Sequence, residues 1–481
     1  MKHCQTPLFT ALKSYTERQV TPFDVPGHKH GQGAPEMVEF FGSKMLESDV
    51  NSMPCLDNLS NPSSVIKEAE DLLADAYDCS HSFFIVNGST AGVQAMLLSA
   101  CQPGDKIILP RNVHKSAING LILSGALPVY ISPCFHEEHA MMLGVTTQSV
   151  IDAIELNPDA KAVLVLNPTY YGVTSDLKAI IEVAHKYDMA VLVDEAHGSH
   201  FPFHQDLPQS AMGLGADMAT ISLHKTGGSL TQSSAVLLNE GLIRQKRVRE
   251  ILNLTQSTSA SYLLMASIDL ARKHLVCEGQ KVFDNLLDLS RWARDEINQI
   301  DGLVAFGKEL LDQQGVYDFD ETKLAVNVSG LGLTGFEVYD LLIEKYNIQM
   351  ELADMYNVLA ILSVGDDLAS LTKLVEAYRD LAKIYSKNEA QSFNYITTIP
   401  QVVYSPREAF YSKKKKVSIY EAVGEVSGES IMIYPPGIPI VSPGELITGD
   451  MVDYLLLLKE VQGSLTDSED PEINYIKVLE I

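Results

Sequence analysis

Residues 189–200 read MAVLVDEAHGSH, and residues 218–229 read MATISLHKTGGS. In each stretch an apolar run of strand length ends in polar, titratable side chains. Similar apolar runs recur along the chain and alternate with amphipathic helical windows. They are KIILP at 106–110, LPVYIS at 127–132, KAVLVLN at 161–167 and SAVLLN at 234–239. Continuous apolar strands that alternate with helices are typical of a mainly parallel sheet covered on both faces, so we predict an α/β fold.

Chain length and local patterns indicate several domains. A chain of 481 residues is too long for one ordinary hydrophobic core. Its opening segment contains TPFDVPGHKHGQGAPE, which is too rich in proline and glycine for a regular element. A long helical pattern followed by short strands in the second half favours a smaller α+β region. We predict an N-terminal arm at 1–45, a large α/β domain at 46–270, a small α+β domain at 271–395 and a C-terminal domain at 396–481.

Composition and charge limit the classes of function. Hydrophobic residues make up 46% of the chain and charged residues 20%, which is globular rather than disordered composition. Acidic residues outnumber basic ones 62 to 36, for a formal net charge of -26. Such a field repels nucleic acid and draws cations toward an acidic cleft, although it also serves solubility alone. A small cationic substrate fits this charge.

Cysteine usage and hydropathy indicate a location. The six cysteines are scattered without a C-x-x-C pair, which argues against a disulfide framework or a zinc knuckle. The N-terminus lacks the long apolar core of a signal peptide, and no stretch approaches the length that a bilayer span requires. We therefore expect a cytoplasmic protein that binds neither membrane nor nucleic acid.

Two residues at strand ends carry the chemical hypothesis. Ligands of parallel sheets bind beyond the carboxyl ends of the strands. Asp194 follows one apolar strand, where a half-buried carboxylate needs a positive partner. Lys225 follows another, and desolvation there can leave its amine neutral, although a single lysine at a strand end more often extends to solvent. Enzymes of pyridoxal phosphate (PLP) pair an Asp with the pyridine nitrogen and attach the aldehyde to a Lys, so we predict PLP as the cofactor.

A phosphate group would need hydroxyls and backbone N–H groups at a helix N-terminus. Residues 87–92 read NGSTAG between the strand HSFFIV and a helical stretch, and Ser89 and Thr90 supply the hydroxyls. Ser222 and His224 add further donors. Taken alone, such a pair is an ordinary helix cap. Its position upstream of the Asp and the Lys makes phosphate binding the better interpretation.

Histidines beside these residues suggest further contacts. His114 could stack on the cofactor ring, and His197, three residues after Asp194, could contact that carboxylate or a cofactor oxygen. His197, His200 and His204 also raise the alternative of a metal site, because histidine is a common ligand. No clear carboxylate or cysteine completes a ligand set, so we predict no metal.

Six strings, taken in order, resemble a known family. They are FDVPGHKHG at 23–31, RNVHKS at 111–116, NPTYYGV at 167–173, VDEAHGSH at 193–200, SLHKTGGSLTQSS at 222–234 and YPPGIPIVSPGE at 434–445. The family is the bacterial ornithine/lysine/arginine decarboxylases, a branch of the aspartate-aminotransferase-like (type I) PLP fold. The resemblance spans nearly the whole chain, and the short arginine decarboxylase form is the most similar.

The resemblance implies a role for each residue above. Lys225 would bind the cofactor covalently, Asp194 would pair with the pyridine nitrogen, and His114 would stack on the ring. The residues that would bind the phosphate or lie in the same shell are Ser89, Thr90, Ser222, His224 and His197. The order Gly-Ser-Thr replaces the Gly-Thr-Ser of the family, so the separate roles of the two hydroxyls stay open.

The resemblance also implies an assembly. Type I enzymes build each active site at a dimer interface, so we expect a homodimer or a larger homo-oligomer. Thr258 and Ser259 are similar to residues that are donated across that interface. Long acid-induced members carry an additional receiver-like N-terminal domain. This chain opens directly into the PLP-binding part, so we do not expect their ring assemblies.

The implied activity is decarboxylation of a basic amino acid. L-arginine to agmatine and carbon dioxide, a step of polyamine biosynthesis, is the preferred reaction. Lysine and ornithine, which would yield cadaverine and putrescine, also carry a cation on an aliphatic chain. Glu445 is the first candidate to bind that cation, and Asp354 is the second. Another type I activity such as transamination, or a paralogue without turnover, would share the Asp and the Lys.

Overall fold

A computed structural model describes residues 2–385, 399–433, 437–461, 463 and 465–481. The chain forms two compact units, and each unit is built from two separate stretches. The first unit comprises Met1–Ser99 and Leu192–Asp284, and the second comprises Ala100–Val191 and Asn285–Ile481. The domain boundaries that the sequence suggests stay a prediction.

The regular elements, in chain order, are as follows. The helices are α1 (Pro7–Glu17), α2 (Pro35–Phe41), α3 (Ser43–Ser48), α4 (Val65–Ala76), α5 (Gly88–Ala100), α6 (Lys115–Ser124), α7 (Thr147–Leu156), α8 (Leu177–His185), α9 (Leu223–Thr226), α10 (Gln245–Thr255), α11 (Tyr262–Asn298), α12 (Gly335–Tyr346), α13 (Leu368–Tyr385), α14 (Pro406–Tyr411) and α15 (Gly449–Glu460). Short 3₁₀ helices cover Phe201–Phe203, Lys308–Asp312, Ser329–Leu331 and Ile419–Glu421.

The strands follow the same numbering. They are β1 (His81–Ile85), β2 (Lys106–Pro110), β3 (Leu127–Ile131), β4 (Phe135–His136), β5 (Met141–Met142), β6 (Ala162–Leu166), β7 (Val173–Thr174), β8 (Ala190–Asp194), β9 (Met218–Ile221), β10 (Ser234–Leu238), β11 (Val304–Ala305), β12 (Asp318–Phe319), β13 (Lys323–Asn327), β14 (Leu352–Ala353), β15 (Asn357–Ile361), β16 (Lys414–Ser418), β17 (Ile431–Ile433), β18 (Ile438–Val441), β19 (Leu465–Thr466) and β20 (Tyr475–Leu479).

The first unit contains neighbouring strands in the order β1-β10-β9-β8, with the last three residues of β8 inside the unit. β8 and β9 run parallel, with Asp194 opposite Thr220, whereas β10 is antiparallel to both β9 and β1. β8, β9 and β10 are buried along their whole length, as their continuous apolar sequences predict. The sequence does not predict that β10 runs antiparallel, because a fully buried strand has a continuous apolar sequence whichever way it runs.

Helix α5 packs closely on this part of the first unit. A Cβ atom on Gly92 would lie 2.0 Å from Thr220 Oγ1, so only glycine allows the helix backbone to approach β9 this closely. Gly88 begins the helix with a left-handed φ of 71°, and its N–H donates to the carbonyl of Gln232. These contacts hold the first two turns of α5 against the carboxyl half of β9.

The second unit combines parallel and antiparallel sheets. β6, β2 and β3 lie side by side and run parallel. A four-stranded antiparallel sheet has the order β11-β13-β15-β14, and smaller sheets β16-β20 and β18-β17-β19 follow. The apolar face of α15 packs into the core of this last region through Met451, Val452, Leu455 and Leu458. The predicted α/β fold with smaller α+β parts is confirmed.

Hydrogen bonds from a buried ion pair on α11 hold the N-terminal segment against that helix. Arg272 Nη2 lies 2.6 Å from Asp269 Oδ1, and both side chains are fully buried. Asp269 Oδ2 accepts hydrogen bonds from the backbone N–H groups of Leu8 and Phe9 at 3.1 and 3.2 Å. These are free N–H groups of the first turn of α1, whose own N-cap makes no side-chain bond. Asp269 therefore caps a helix that is distant in sequence.

Within the described residues no helix is both long and apolar enough to cross a bilayer.

We predict that Arg272→Ala destabilises the protein strongly. The substitution leaves the Asp269 carboxylate buried without its cation, which costs roughly 3–5 kcal/mol of unfolding free energy. Chemical denaturation of the variant measures the loss. The matched control is Lys246→Ala, which breaks an exposed i,i+4 pair with Glu250 and should change stability by less than about 0.5 kcal/mol. Equal losses in the two variants would contradict the anchoring role.

Candidate active site

The first unit brings Lys225, His197 and Asp194 together at the carboxyl ends of β8 and β9. Lys225 lies on α9, which directly follows β9, and its Nζ is 2.8 Å from His197 Nε2. Asp194 ends β8, and its Oδ1 accepts a hydrogen bond from the N–H of Ala196 at 3.2 Å. Burial raises the pKa of Asp194, and the positive charge of Lys225 opposes that rise. A carboxyl group and an amine thus lie near each other where a parallel sheet binds ligands.

Two adjacent carboxyl groups at this strand end have different environments. Glu195 is fully buried, its Oε1 accepts from the N–H of Ala211 at 2.7 Å, and burial raises its pKa to about 8. Glu195 is therefore largely protonated at neutral pH. Asp194 is the acid of the pair that has Lys225 nearby. Successive strand residues point to opposite faces, which explains why only one of the two acids faces the lysine.

The residues predicted to bind phosphate offer a suitable set of donors. Ser89 and Thr90 are half-buried on the first turn of α5, where backbone N–H groups have no partner within the helix. The Ser222 hydroxyl is fully buried and has no hydrogen-bond partner among the described residues. Because a buried polar group is rarely left without a partner, this hydroxyl fits a bound group that carries acceptor oxygens.

His224, next to Lys225, has one ring nitrogen already engaged. Its Nδ1 donates to the carbonyl of Ser233 at 3.0 Å, since a carbonyl can only accept. Burial lowers the pKa of His224, and the nearby Lys225 lowers it further. The imidazole is therefore held neutral with the proton on Nδ1. Only Nε2 is available for a further contact.

The three histidines that suggested a metal site contact three different partners. His197 contacts Lys225, His200 Nδ1 lies 3.1 Å from Thr226 Oγ1, and His204 Nε2 lies 2.9 Å from Asp284 Oδ1. No group of three or more His, Cys, Asp or Glu side chains suited to a metal ion occurs in the described part of the chain. The three histidines therefore do not converge on one ligand cluster among the residues that the structure describes.

His114 belongs to the second unit and caps α6. Its Nδ1 accepts a hydrogen bond from the N–H of Ser116 at 3.2 Å and lies 2.8 Å from the Ser116 hydroxyl. These bonds hold the ring in one orientation and leave the proton of the neutral imidazole on Nε2. The stacking role of His114 stays a prediction.

Glu445 makes a buried ion pair. Its carboxylate is 1% exposed and accepts from Arg111 Nη2 and from the N–H of Ser442, each at 2.8 Å. Arg111 also donates to the carbonyls of Pro439 and Ile440. Burial raises the pKa of Glu445, while Arg111 lowers it. The role of Arg111 is not predicted from the sequence, although the residue directly follows an apolar strand.

Asp354 lines a cavity of about 200 Å³ in the second unit. Its Oδ1 accepts from the N–H groups of Tyr356 and Asn357 at 2.8 Å, and its Oδ2 accepts from the Tyr171 hydroxyl. The cavity is mainly apolar and is also lined by Arg111. Tyr171 is a second residue to which sequence analysis gave no role, although it stands in the quoted NPTYYGV string.

Comparison with known proteins identifies the family. A model of the Orn/Lys/Arg decarboxylase major domain matches residues 6–370, and a model of the C-terminal domain of the same family matches residues 388–466. The arginine decarboxylase of Bacillus subtilis (strain 168) is 43% identical over 483 residues, which cover 100% of this chain and 99% of that protein. The arginine decarboxylase of Bacillus anthracis is 42% identical over 99% of this chain and 97% of its own length. The constitutive lysine decarboxylase of Escherichia coli (strain K12) is 24% identical over 95% of this chain and 78% of its own length.

Solved structures agree on the fold. The lysine decarboxylase LdcF of Francisella novicida superposes with a TM-score of 0.85 over 99% of this chain and 81% of its own, at 20% identity. The ureidoglycine-glyoxylate aminotransferase of Bacillus subtilis superposes with a TM-score of 0.53 over 66% of this chain and 84% of its own, at 15% identity. The predicted family and the type I fold are therefore confirmed. Because both family models and full-length relatives above 40% identity match it, this chain belongs to the Orn/Lys/Arg decarboxylase family.

Proposed function

We propose that this decarboxylase acts on L-arginine and releases agmatine and carbon dioxide, a step that supplies polyamine synthesis. The observation that carries the proposal is similarity over nearly the full chain to four curated arginine decarboxylases at 42–44% identity. Lysine decarboxylases are only 22–24% identical. The family and its structural neighbours imply PLP as the cofactor.

We assign the attachment of PLP to Lys225 and its electrostatic control to Asp194. When bound, PLP supplies a ring that accepts the electron pair left as carbon dioxide departs. His197 Nε2, 2.8 Å from Lys225 Nζ, can take a proton from the lysine and leave a neutral, nucleophilic amine. Asp194 is buried, so its carboxylate would pair strongly with a protonated ring nitrogen and would stabilise the electron-accepting form of the cofactor.

The remaining assignments concern orientation and binding. Ser89, Thr90 and Ser222 would donate to the cofactor phosphate, together with backbone N–H groups of α5. The neutral His224 would take part through Nε2, since its Nδ1 already donates to a carbonyl. His114 would stack on the ring, because its engaged Nδ1 already fixes the plane of the imidazole.

We propose at least a homodimer, with the active site completed by the partner subunit. Thr258 and Ser259 are exposed in the single chain, as expected of residues that a partner would cover. We further propose a cytoplasmic location, in keeping with six free thiols. The acidic net charge of -26 is consistent with a cationic small-molecule substrate and disfavours nucleic acid.

Identification of the product tests the proposed substrate. Purified protein is incubated with PLP and, separately, with arginine, lysine or ornithine, and the products are identified by chromatography and mass spectrometry. We expect agmatine and carbon dioxide from arginine. Cadaverine or putrescine as the dominant product would overturn the choice of arginine. A keto acid would instead indicate transamination, and no product at all would indicate a paralogue without turnover.

We predict that Lys225→Ala abolishes the visible absorption band of lysine-bound PLP and nearly all turnover, because no other amine occupies that position. Absorption spectra and amine release measure the two effects. The control is Lys281→Ala, an exposed lysine on α11, which should leave both unchanged. A normal band in the Lys225 variant would refute its assignment.

We predict that Asp194→Asn keeps PLP bound but lowers kcat by roughly 10²- to 10³-fold, the range seen when one preorganised electrostatic partner is lost. The phosphate contacts are unaffected, so the absorption band should persist. Asp188→Asn is a suitable control, because Asp188 is exposed and has a left-handed φ that asparagine tolerates equally well. Full activity of the Asp194 variant would exclude the proposed role.

A further inference from the structure

The second unit contains a cavity at the carboxyl ends of two parallel strands. Arg111 and Asn112 line it directly after β2, and Thr169, Tyr170 and Tyr171 line it after β6. Ligands of open α/β sheets bind at such ends. The volume of about 200 Å³ is smaller than the roughly 300–1,000 Å³ of pockets for drug-sized ligands. It suits one amino-acid side chain.

The charges around this cavity do not balance. Arg111 and Asp354 are the charged residues that line it within the described part of the chain. Arg111 is neutralised by Glu445, with 2.8 Å between the charged atoms. Asp354 accepts its hydrogen bonds from backbone N–H groups, a phenol and an amide, and it pairs with no cationic side chain among the described residues. Asp354 is therefore an acid of the cavity lining without a cation beside it in the described part of the chain.

A buried carboxylate without a cation is unfavourable. Burial raises the pKa of Asp354, and the hydrogen bonds from Tyr171, Tyr356 and Asn357 only partly offset that rise. A monocationic group in the cavity would restore the charged form and supply the missing partner. Glu445, the first candidate from the sequence, lacks this property because Arg111 already neutralises it.

Aromatic residues beside Asp354 suit a planar cation. Burial raises the pKa of Tyr171 and of Tyr454, and the nearby Asp354 carboxylate raises both further. Both residues line the cavity. A guanidinium group can pair with a carboxylate and stack on an aromatic face, whereas an ammonium group is a compact, strongly hydrated point charge.

We infer that Asp354 binds the guanidinium group of the substrate and determines the preference of the enzyme for a cationic side chain. This inference rests on the proposed arginine decarboxylation. Asp354 is a specificity-determining residue in this scheme, and Tyr171 orients its carboxylate through the hydrogen bond to Oδ2. The competing role is structural, because Oδ1 also caps the turn at Tyr356 and Asn357.

The test compares arginine with citrulline, its neutral isostere, in the PLP-loaded enzyme. Asp354→Asn should lower kcat/KM for arginine by roughly 10²-fold or more, as expected when a buried charge loses its partner. The value for citrulline should change little, so the ratio of the two should fall by a similar factor. Calorimetry should also show a large loss of affinity for agmatine, while the visible band of bound PLP stays unchanged.

Asp366→Asn is the matched control for the structural role. Asp366 lies in the same unit and caps the N–H of Ser363 at 2.8 Å, but it does not line the cavity. Its substitution should leave the arginine-to-citrulline ratio and agmatine affinity unchanged. If Asp354→Asn fails to fold, Asp354→Glu keeps the charge and extends it by one methylene. That variant should still reject citrulline but should shift its preference from arginine toward the shorter ornithine.

The outcomes separate the two proposals. If the wild-type enzyme does not release agmatine from arginine, the proposed function fails. If it does, and Asp354→Asn keeps the wild-type arginine-to-citrulline ratio and agmatine affinity, Asp354 is a turn cap alone and the inference is wrong. Loss of discrimination against citrulline in Asp354→Glu would also contradict it.

Discussion

The parallel pairing of β8 with β9 is the constraint on which the proposed site of Lys225, His197 and Asp194 depends. Asp194 lies opposite Thr220 in this pair, so the acid ends its strand beside the turn that leads to Lys225. A register shift of one residue would turn Asp194 to the other face and present Glu195 instead. In the observed register, burial raises the pKa of Glu195 to about 8, and its carboxyl group accepts a hydrogen bond from the N–H of Ala211. The choice between two adjacent acids therefore follows from strand register.

Charge neutralisation organises the second unit as well. Arg111 and Glu445 form a buried pair that binds the segment around Pro439 and Ile440 to the end of β2. Such a pair adds little net stability, but removal of one partner is costly. Asp354 has no such cation among the described residues. Paired charges thus support the scaffold of this unit, whereas we propose that the buried Asp354 takes its cation from the substrate.

The sequence directed attention to the residues directly after apolar strands, because parallel sheets bind ligands at those ends. Lys225, Asp194 and His197 were all found in this way, and the structure brings them together. The sequence favours Glu445 over Asp354 for substrate binding, whereas the charges in the structure favour Asp354. Glu445 came first because it stands in a motif of the tail, yet its partner Arg111 is 334 positions away. A contact over that separation has no local signal.

The amino-acid sequence alone determines the family, the type I fold and the cofactor. It also identifies the lysine that we propose binds that cofactor. These features depend on local periodicity and on short motifs, which can be recognised without knowledge of tertiary contacts. Only the tertiary structure shows that β10 runs antiparallel and that Asp194 and Glu195 have different environments. It also shows that, among the described residues, a cation neutralises Glu445 but not Asp354. Each depends on which distant groups share a buried space, and burial with its charge partners arises only when the chain has folded.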